Sequence, residues 1–584
     1  MSAPQQHTGP VSPDSTGPSG PRTVVIGGGF AGLATAGLLA RDGHRVTLLE
    51  QLDTLGGRSG RWSAQGYTFD TGPSWYLMPE VIERWFTLMG SSVSEHLDLR
   101  RLTPAYRTFF QDHLDSPPVD VESGRAEAVH LFESLDSGSG AALEDYLDSA
   151  AEAYELAKGH FLYTDFHREN LRRLAVPAVL RRAPRLAQLL GTSLQRFVAS
   201  RFTDPRQRQL LGYPAVFLGT SPDRAPAMYH LMSHLDLADG VQYPVGGFAA
   251  LVDAMAELAR AAGVEIITGA QVTSIDLQDP APAAPAASSR FSRLASRAAR
   301  RLPSLPSRRR PRPQVQGVTY LPRGEGDGTP VRLGADVVVG AADLKYLQTS
   351  LLPTEQRAPE SRWENRDPGP SGVLVCLGVR GKLPELVHHN LLFTADWEDN
   401  FGRIQRGEEL AAETSIYVCK TSDTDPGTAP EGCENLFILV PAPAVPAWGR
   451  GGVRTAETVE PGDAMVERVA DAAVDQLARW AGIPDLAQRV EVRRTYGPGD
   501  FVAQFNAWSG SLLGPGHTLA QSAMFRPGVR EPGVDGLFYA GSSVQPGIGV
   551  PMCLISAEVV RDAVRRDGVR SGGSSPARAD GAAC

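Results

Sequence analysis

An α/β fold built on a parallel sheet buried on both faces is predicted by three stretches of this 584-residue chain. Thr23-Val24-Val25-Ile26 is a β-branched run without polar alternation, as a strand covered on both sides requires. It passes through Gly27-Gly28-Gly29-Phe30-Ala31-Gly32 into Leu33, Ala36, Leu39 and Ala40 at helical spacing. Arg45-Val46-Thr47-Leu48-Leu49 then reads as a second strand ending at Glu50, so the order is strand, glycine turn, helix, strand.

Composition permits a large core and excludes some roles. Hydrophobic residues make up 42% of the chain, and the 61 glycines and 45 prolines stay below the roughly 25–30% that marks low-complexity chains. With 57 basic against 66 acidic residues, the formal net charge is -9. That is the wrong sign for holding a phosphate backbone by counterion release, so nucleic acid is not expected as a partner. Cys376, Cys419, Cys433, Cys553 and Cys584 are odd in number, scattered and never spaced C-x-x-C. They suggest a reducing compartment and no disulfide framework or zinc site. Residues 1–22 are polar and rich in Pro, Ser and Gly, without the basic-then-apolar order of a secretory signal, and read as a disordered leader. Thr23 to Ala40 is uncharged and long enough to imitate a membrane span, but glycines every two or three residues ahead of a strand exclude that reading.

Each part of the glycine turn has a task. Gly27 permits the tight turn, Gly29 lets a pyrophosphate approach the backbone, and Gly32 lets the helix lie close to the strand. The first helical turn, from Ala31, presents unpaired N–H groups to phosphate. Glu50, eighteen residues after Gly32, is placed to accept both hydroxyls of an adenosine ribose. Gly57 and Arg58, in Leu55-Gly56-Gly57-Arg58, add backbone amides and a guanidinium for a diphosphate. From Val25 to Arg58 these residues resemble the N-terminal fingerprint of the FAD-dependent amine oxidase-like flavoproteins, which implies a Rossmann-like FAD-binding domain.

The carboxy end mirrors this arrangement. Leu537-Phe538-Tyr539-Ala540-Gly541 reads as a buried strand, followed by a loop to Gly549-Val550-Pro551 and a helix carrying Leu554, Ile555, Val559, Val560 and Val564. The segment from Leu537 to Ala557 resembles the C-terminal signature of the bacterial-type phytoene desaturases, the carotenoid desaturase branch of that superfamily. Phe69-Asp70-Thr71-Gly72-Pro73, Tyr243-Pro244-Val245-Gly246-Gly247, His388-His389-Asn390, Ala429-Pro430-Glu431-Gly432 and Leu519-Ala520-Gln521-Ser522-Ala523 extend the resemblance in order over roughly residues 22–568.

The resemblance implies a discontinuous FAD-binding domain (23–110, 241–345 and 501–568) and an α+β substrate and membrane-binding domain (111–240 and 346–500). It also implies that Val272 holds adenine and that Gly541, Gly549 and Val550 face the flavin. The activity implied is FAD-dependent desaturation of phytoene, a long-chain polyene, with the flavin taking a hydride and quinone or oxygen as electron acceptor. Within the same fold, C30 dehydrosqualene desaturase, ketolase and saturase chemistry are alternatives. A non-enzymatic prenyl-lipid carrier of the Rab GDP-dissociation inhibitor type is the rival from another class.

Two stretches depart from the acidic average. Residues 279–313 form a Pro/Ala/Ser tract with Arg290, Arg293, Arg297, Arg300, Arg301, Arg308, Arg309, Arg310 and Arg312, expected as a disordered insertion in a hairpin loop. Arg168, Arg172, Arg173, Arg181, Arg182, Arg185, Arg196 and Arg201 alternate with apolar residues, as in helices lying on an anionic membrane surface. A cytoplasmic protein held peripherally on the inner face of the cell membrane is expected, with a disordered tail at 569–584. Asp165, His167 and Glu169 are the candidate proton acceptors. No metal is expected, since His388 and His389, adjacent on a strand, should point to opposite faces.

Overall fold

In a computed structural model, residues 20–166, 177–279, 312–323 and 328–571 are described. Most of the leader, of the arginine-rich insertion and of the tail lies outside these residues.

Strand β1 (Arg22–Ile26), helix α1 (Phe30–Arg41) and strand β2 (Arg45–Leu49) form the expected unit. A five-stranded parallel sheet grows from it, in the order Leu537–Tyr539, Val337–Gly340, β1, β2, Glu265–Ile267. The chain therefore contributes to one sheet from its start, middle and end. Helix α1 packs between the helix Gly247–Ala261 and the C-terminal helix Val550–Ser571. Leu33, Ala34, Ala36, Leu38 and Leu39 are fully buried, which explains why Thr23 to Ala40 looks like a membrane segment. A helix apolar on every side is covered on every side. Among the described residues no helix is long and apolar enough to cross a membrane.

Beside this sheet, Ala270–Gln278, Gln314–Pro322 and Val331–Gly334 make a three-stranded antiparallel sheet. The arginine-rich tract joins its first two strands at the directly paired Gln278 and Gln314.

A nine-stranded sheet makes the second half of the molecule. At its centre, Ser371–Arg380 pairs antiparallel with both Cys433–Ala442 and Val490–Tyr496. Its alternation is complete. Val373, Val375, Leu377 and Val379 pack with the helix Ala464–Trp480, while Leu374 and Cys376 join the core on the other face. Burial on both faces is why this strand reads as a continuous apolar run. Tyr106–Phe110, expected on the FAD side of a boundary at 110, belongs instead to this sheet, pairing parallel with His389–Phe393. Its apolar partners lie there, so the division falls before this strand.

One charge cluster ties the two chain ends. Asp42 caps the C-terminus of α1, where a negative charge is unfavourable to the helix dipole. Its carboxylate is held by Arg561 (Nε to Oδ2, 2.9 Å) and Arg565 (Nε to Oδ2, 2.6 Å) of the C-terminal helix. Burial would raise this carboxyl, but the two guanidiniums outweigh it and hold the group below its ordinary 3.8. A carboxyl lowered on folding stabilises above its unfolded pKa and loses that contribution as pH falls through the folded value. Asp42→Asn is therefore expected to lower unfolding free energy by about 2 kcal/mol at pH 7. In urea titrations over a pH series, the gap from wild type should close as pH falls below 3.8.

Candidate active site

The glycine turn is built by close backbone contact. Gly27, at φ +107°, donates its N–H to Leu49 O (2.8 Å). A Cβ on Gly32 would lie 1.9 Å from Gly27 O, so only glycine lets α1 begin against the turn. Gly28 donates its N–H to Glu50 Oε2 (2.6 Å), and Leu52 donates to Oε1 (2.8 Å). Gly56 donates to Gly28 O (2.9 Å), so the second glycine pair is locked to the first. Gly56 (φ +107°) and Gly57 (φ +56°) then turn the chain to place Arg58.

These residues open onto a cavity of about 1060 Å³. Gly27, Gly29, Ala31, Glu50, Gly57, Arg58, Val272, Gly541, Gly549 and Val550 all line it. Gly32 does not, because its place is the contact with Gly27. From the other end of the chain, Gly541 (φ +108°) is braced by Ser556 Oγ, which accepts its N–H (3.1 Å). Gly549 accepts the first bond of the C-terminal helix, from Cys553 N (3.0 Å), so the helix N-terminus opens at the cavity.

The electrostatics suit a phosphorylated ligand. Burial pushes Glu50 up, while the N–H groups of Leu52 and Gly28 draw it back. Burial pushes Arg58 down, opposed by the nearby Asp343 carboxylate, whose own pKa is raised by burial. Arg58 Nε and one Nη are shielded and have no partner among the described residues. Two orphan guanidinium nitrogens beside glycine amides and a helix N-terminus fit a diphosphate, and Glu50 fits a ribose. The residues present therefore fit a dinucleotide, the class to which the flavin dinucleotide implied by the sequence belongs.

Away from this cradle the walls become apolar. Leu374, Leu391, Phe393, Phe437 and Leu439 of the nine-stranded sheet form one side. Tyr229, His517 and Ser522 interrupt the apolar lining. His517 Nε2 accepts from Ile548 N–H (3.1 Å), so Nδ1 donates to Tyr229 OH (2.6 Å), which donates to Ser522 Oγ (3.0 Å). Burial and the cation of Arg526 hold His517 neutral. Nothing in the local sequence marks this group, since only the fold joins residues 229 and 517. At the far end, Ala183, Leu186, Ala187 and Leu190 line the cavity from one face of the helix Pro177–Gly191.

The sequence candidates for proton transfer fare differently. Asp165 does not line the cavity; its buried carboxylate pairs with Arg566 of the C-terminal helix. His167 and Glu169 lie outside the described residues. Among the described lining residues, the carboxylates are Glu50 and Asp343, both at the cradle. Two of the arginines expected at a membrane are engaged within the protein, Arg182 with Glu152 (2.6 Å) and Arg185 with Ser149 Oγ (2.9 Å). The histidine pair also departs from expectation. His388 precedes the strand, so alternation does not apply, and the two rings lie 4.5 Å apart, centroid to centroid.

Comparison with known proteins accords with this geometry. Residues 30–288 match the family model described as flavin containing amine oxidoreductase. The chain is 36% identical over 550 residues to a carotenoid 3,4-desaturase of Haloarcula japonica, covering 94% of this chain and 99% of that protein. It is 31% identical over 558 residues to a zeta-carotene-forming phytoene desaturase of Myxococcus xanthus, covering 94% of each. An oxidoreductase from Methanosarcina mazei shares the fold at 17% identity and a TM-score of 0.56, over 93% of this chain and 100% of that one. These relatives set aside the reading as a non-enzymatic lipid carrier. The chain belongs to the carotenoid desaturases, flavin-dependent oxidoreductases of the amine oxidoreductase superfamily.

Proposed function

We propose that the chain is an FAD-dependent desaturase of an acyclic carotenoid, with phytoene as substrate, acting at the surface of a membrane. The observation that carries this is one cavity lined both by the glycine cradle and by the apolar side chains of the nine-stranded sheet. Arg58 and the turn amides would hold the diphosphate, Glu50 the ribose, Val272 the adenine, and the N-terminus at Val550 the pyrimidine edge. Bound FAD supplies the hydride acceptor, with quinone or oxygen taking the electrons onward. The apolar walls align a polyene by shape and exclude water, and Tyr229, fixed by His517, sets a polar contact on its path. A second reading, desaturation at the 3,4 position of a carotenoid already conjugated, is supported by the Haloarcula relative.

An exposed apolar loop supports delivery from a bilayer. Met524, which lines the cavity, is 55% exposed, and Phe525 and Leu519, close to it in the chain, are 59% and 45% exposed. Exposed apolar groups next to a residue of an apolar cavity favour contact with lipid. A cytoplasmic-side location is supported by the free Cys376, Cys419, Cys433 and Cys553.

Glu50→Arg should yield protein without bound flavin, through loss of the ribose acceptors and repulsion from Arg58. A purified variant that keeps the flavin absorbance of wild type refutes this placement. Given phytoene or lycopene in liposomes, the enzyme should produce red-shifted carotenoid spectra. A new band from phytoene supports the first reading, a band from lycopene alone supports the second, and none from either ends both. Met524→Ser combined with Phe525→Ser should cut liposome flotation by at least about tenfold. Unchanged flotation removes the loop from the membrane face.

A further inference from the structure

The structure assigns a metal site to the cluster His388, His389 and Cys419: we propose that it binds one Cu⁺ ion behind the substrate cavity, apart from the flavin cradle. His389 and Cys419 are direct cross-strand partners. His388, one residue before the strand, is drawn in by a bond from Lys420 N–H to its carbonyl (2.7 Å). A ring nitrogen of each histidine and Cys419 Sγ lie within 4.8 Å of one another. Relative exposures of 2%, 0% and 2% place all of them in the interior.

The hydrogen bonding is that of a prepared ligand set. His388 Nδ1 is bonded to Thr424 Oγ1 (2.7 Å) and His389 Nδ1 to Tyr417 OH (2.8 Å), while both Nε2 atoms are buried without a partner among the described residues. Metal-bound histidines are commonly oriented in this way, through the nitrogen that does not bind metal. Two orphan imidazole nitrogens are a costly way to fill a core unless an ion joins them.

Coordination number and charge select the ion. Among the described residues the group offers three donors, whereas structural Zn²⁺ sites close with four. A soft thiolate with imidazoles suits Cu⁺. On binding, the Cys419 thiol gives up its proton to solvent, and Cu⁺ with one thiolate and two neutral imidazoles is neutral overall. A dication would leave a net charge in a buried place beside the Lys420 ammonium, itself paired with Asp423 at 3.1 Å. The ion would brace the cavity wall. Trp75 stacks on His389 at 4.8 Å, Tyr417 bonds to Ser74 (2.6 Å), and Trp75, Tyr417 and Ser74 all line the cavity.

The test is anaerobic titration of the full-length flavin-loaded protein with Cu⁺ against bathocuproine disulfonate, with Zn²⁺ alone in a parallel arm. Wild type should hold one equivalent of Cu⁺, Cys419→Ala should lose it, and Tyr417→Phe should bind about 10–100-fold more weakly. Retained flavin absorbance reports that each variant is folded. If a variant fails to fold, X-ray absorption of Cu⁺-loaded wild type decides, with one sulfur and two imidazole nitrogens expected. Failure of wild type to compete for Cu⁺, equal binding by folded Cys419→Ala, a copper shell without sulfur, or uptake of Zn²⁺ alone would each overturn the assignment.

Discussion

The missing side chain of Gly32 is the constraint on which the cofactor end of this enzyme rests. Because no Cβ stands between α1 and the carbonyl of Gly27, the helix begins in contact with the turn, and its first N–H groups face the cavity. The same turn leaves Gly28 free to bond Glu50 and Gly56, so the acidic strand end and the second glycine pair are held by one backbone path. Around this contact the distant strands 337–340 and 537–539 complete the sheet. The C-terminal helix then lies along α1, secured at its far end by the two arginines on Asp42. Local geometry at one residue thus decides where both ends of a long chain meet.

The second half of the molecule follows a different logic. Its central strand, Ser371–Arg380, is apolar on both faces because one face meets the helix Ala464–Trp480 and the other the cavity-side core. The cavity wall is therefore stiffened from behind by a packed layer, and a close-packed interior yields little. Polar groups enter this wall sparingly. Where they do, as with Tyr417 held by His389, a hydrogen bond fixes them in one orientation, and the same holds for Tyr229 and His517 elsewhere in the lining.

Much of the cofactor end was legible in the sequence, because strand, glycine turn, helix and acidic strand end are local and regularly spaced. Gly27, Gly29, Glu50 and Arg58 stand out by local spacing, Gly541 and Val550 by the family resemblance, and all of them line the cavity. The substrate side was not legible to the same degree. Tyr106–Phe110 carries no mark of its sheet, since its parallel partner lies nearly three hundred residues away. Asp165, a candidate proton acceptor by its place in the sequence, instead forms an ion pair with Arg566. The histidine pair misled by the opposite route. Strand periodicity was applied one residue too early, and a two-face pattern dissolved into a cluster that only cross-strand register with Cys419 brings together.

The hairpin between Gln278 and Gln314 bears on how such an enzyme can be altered. Directly paired residues in an antiparallel ladder sit about 4.5–5.5 Å apart, so whatever joins them starts and ends at nearly the same point. Lengthening a closed loop costs only about 0.6 kcal/mol per doubling. The junction between Gln278 and Gln314 is thus a permissive port, where a tether, a reporter domain or a second enzyme of a pathway could be spliced in. Neither paired strand would have to change register, and Val272 would keep its place at the cavity.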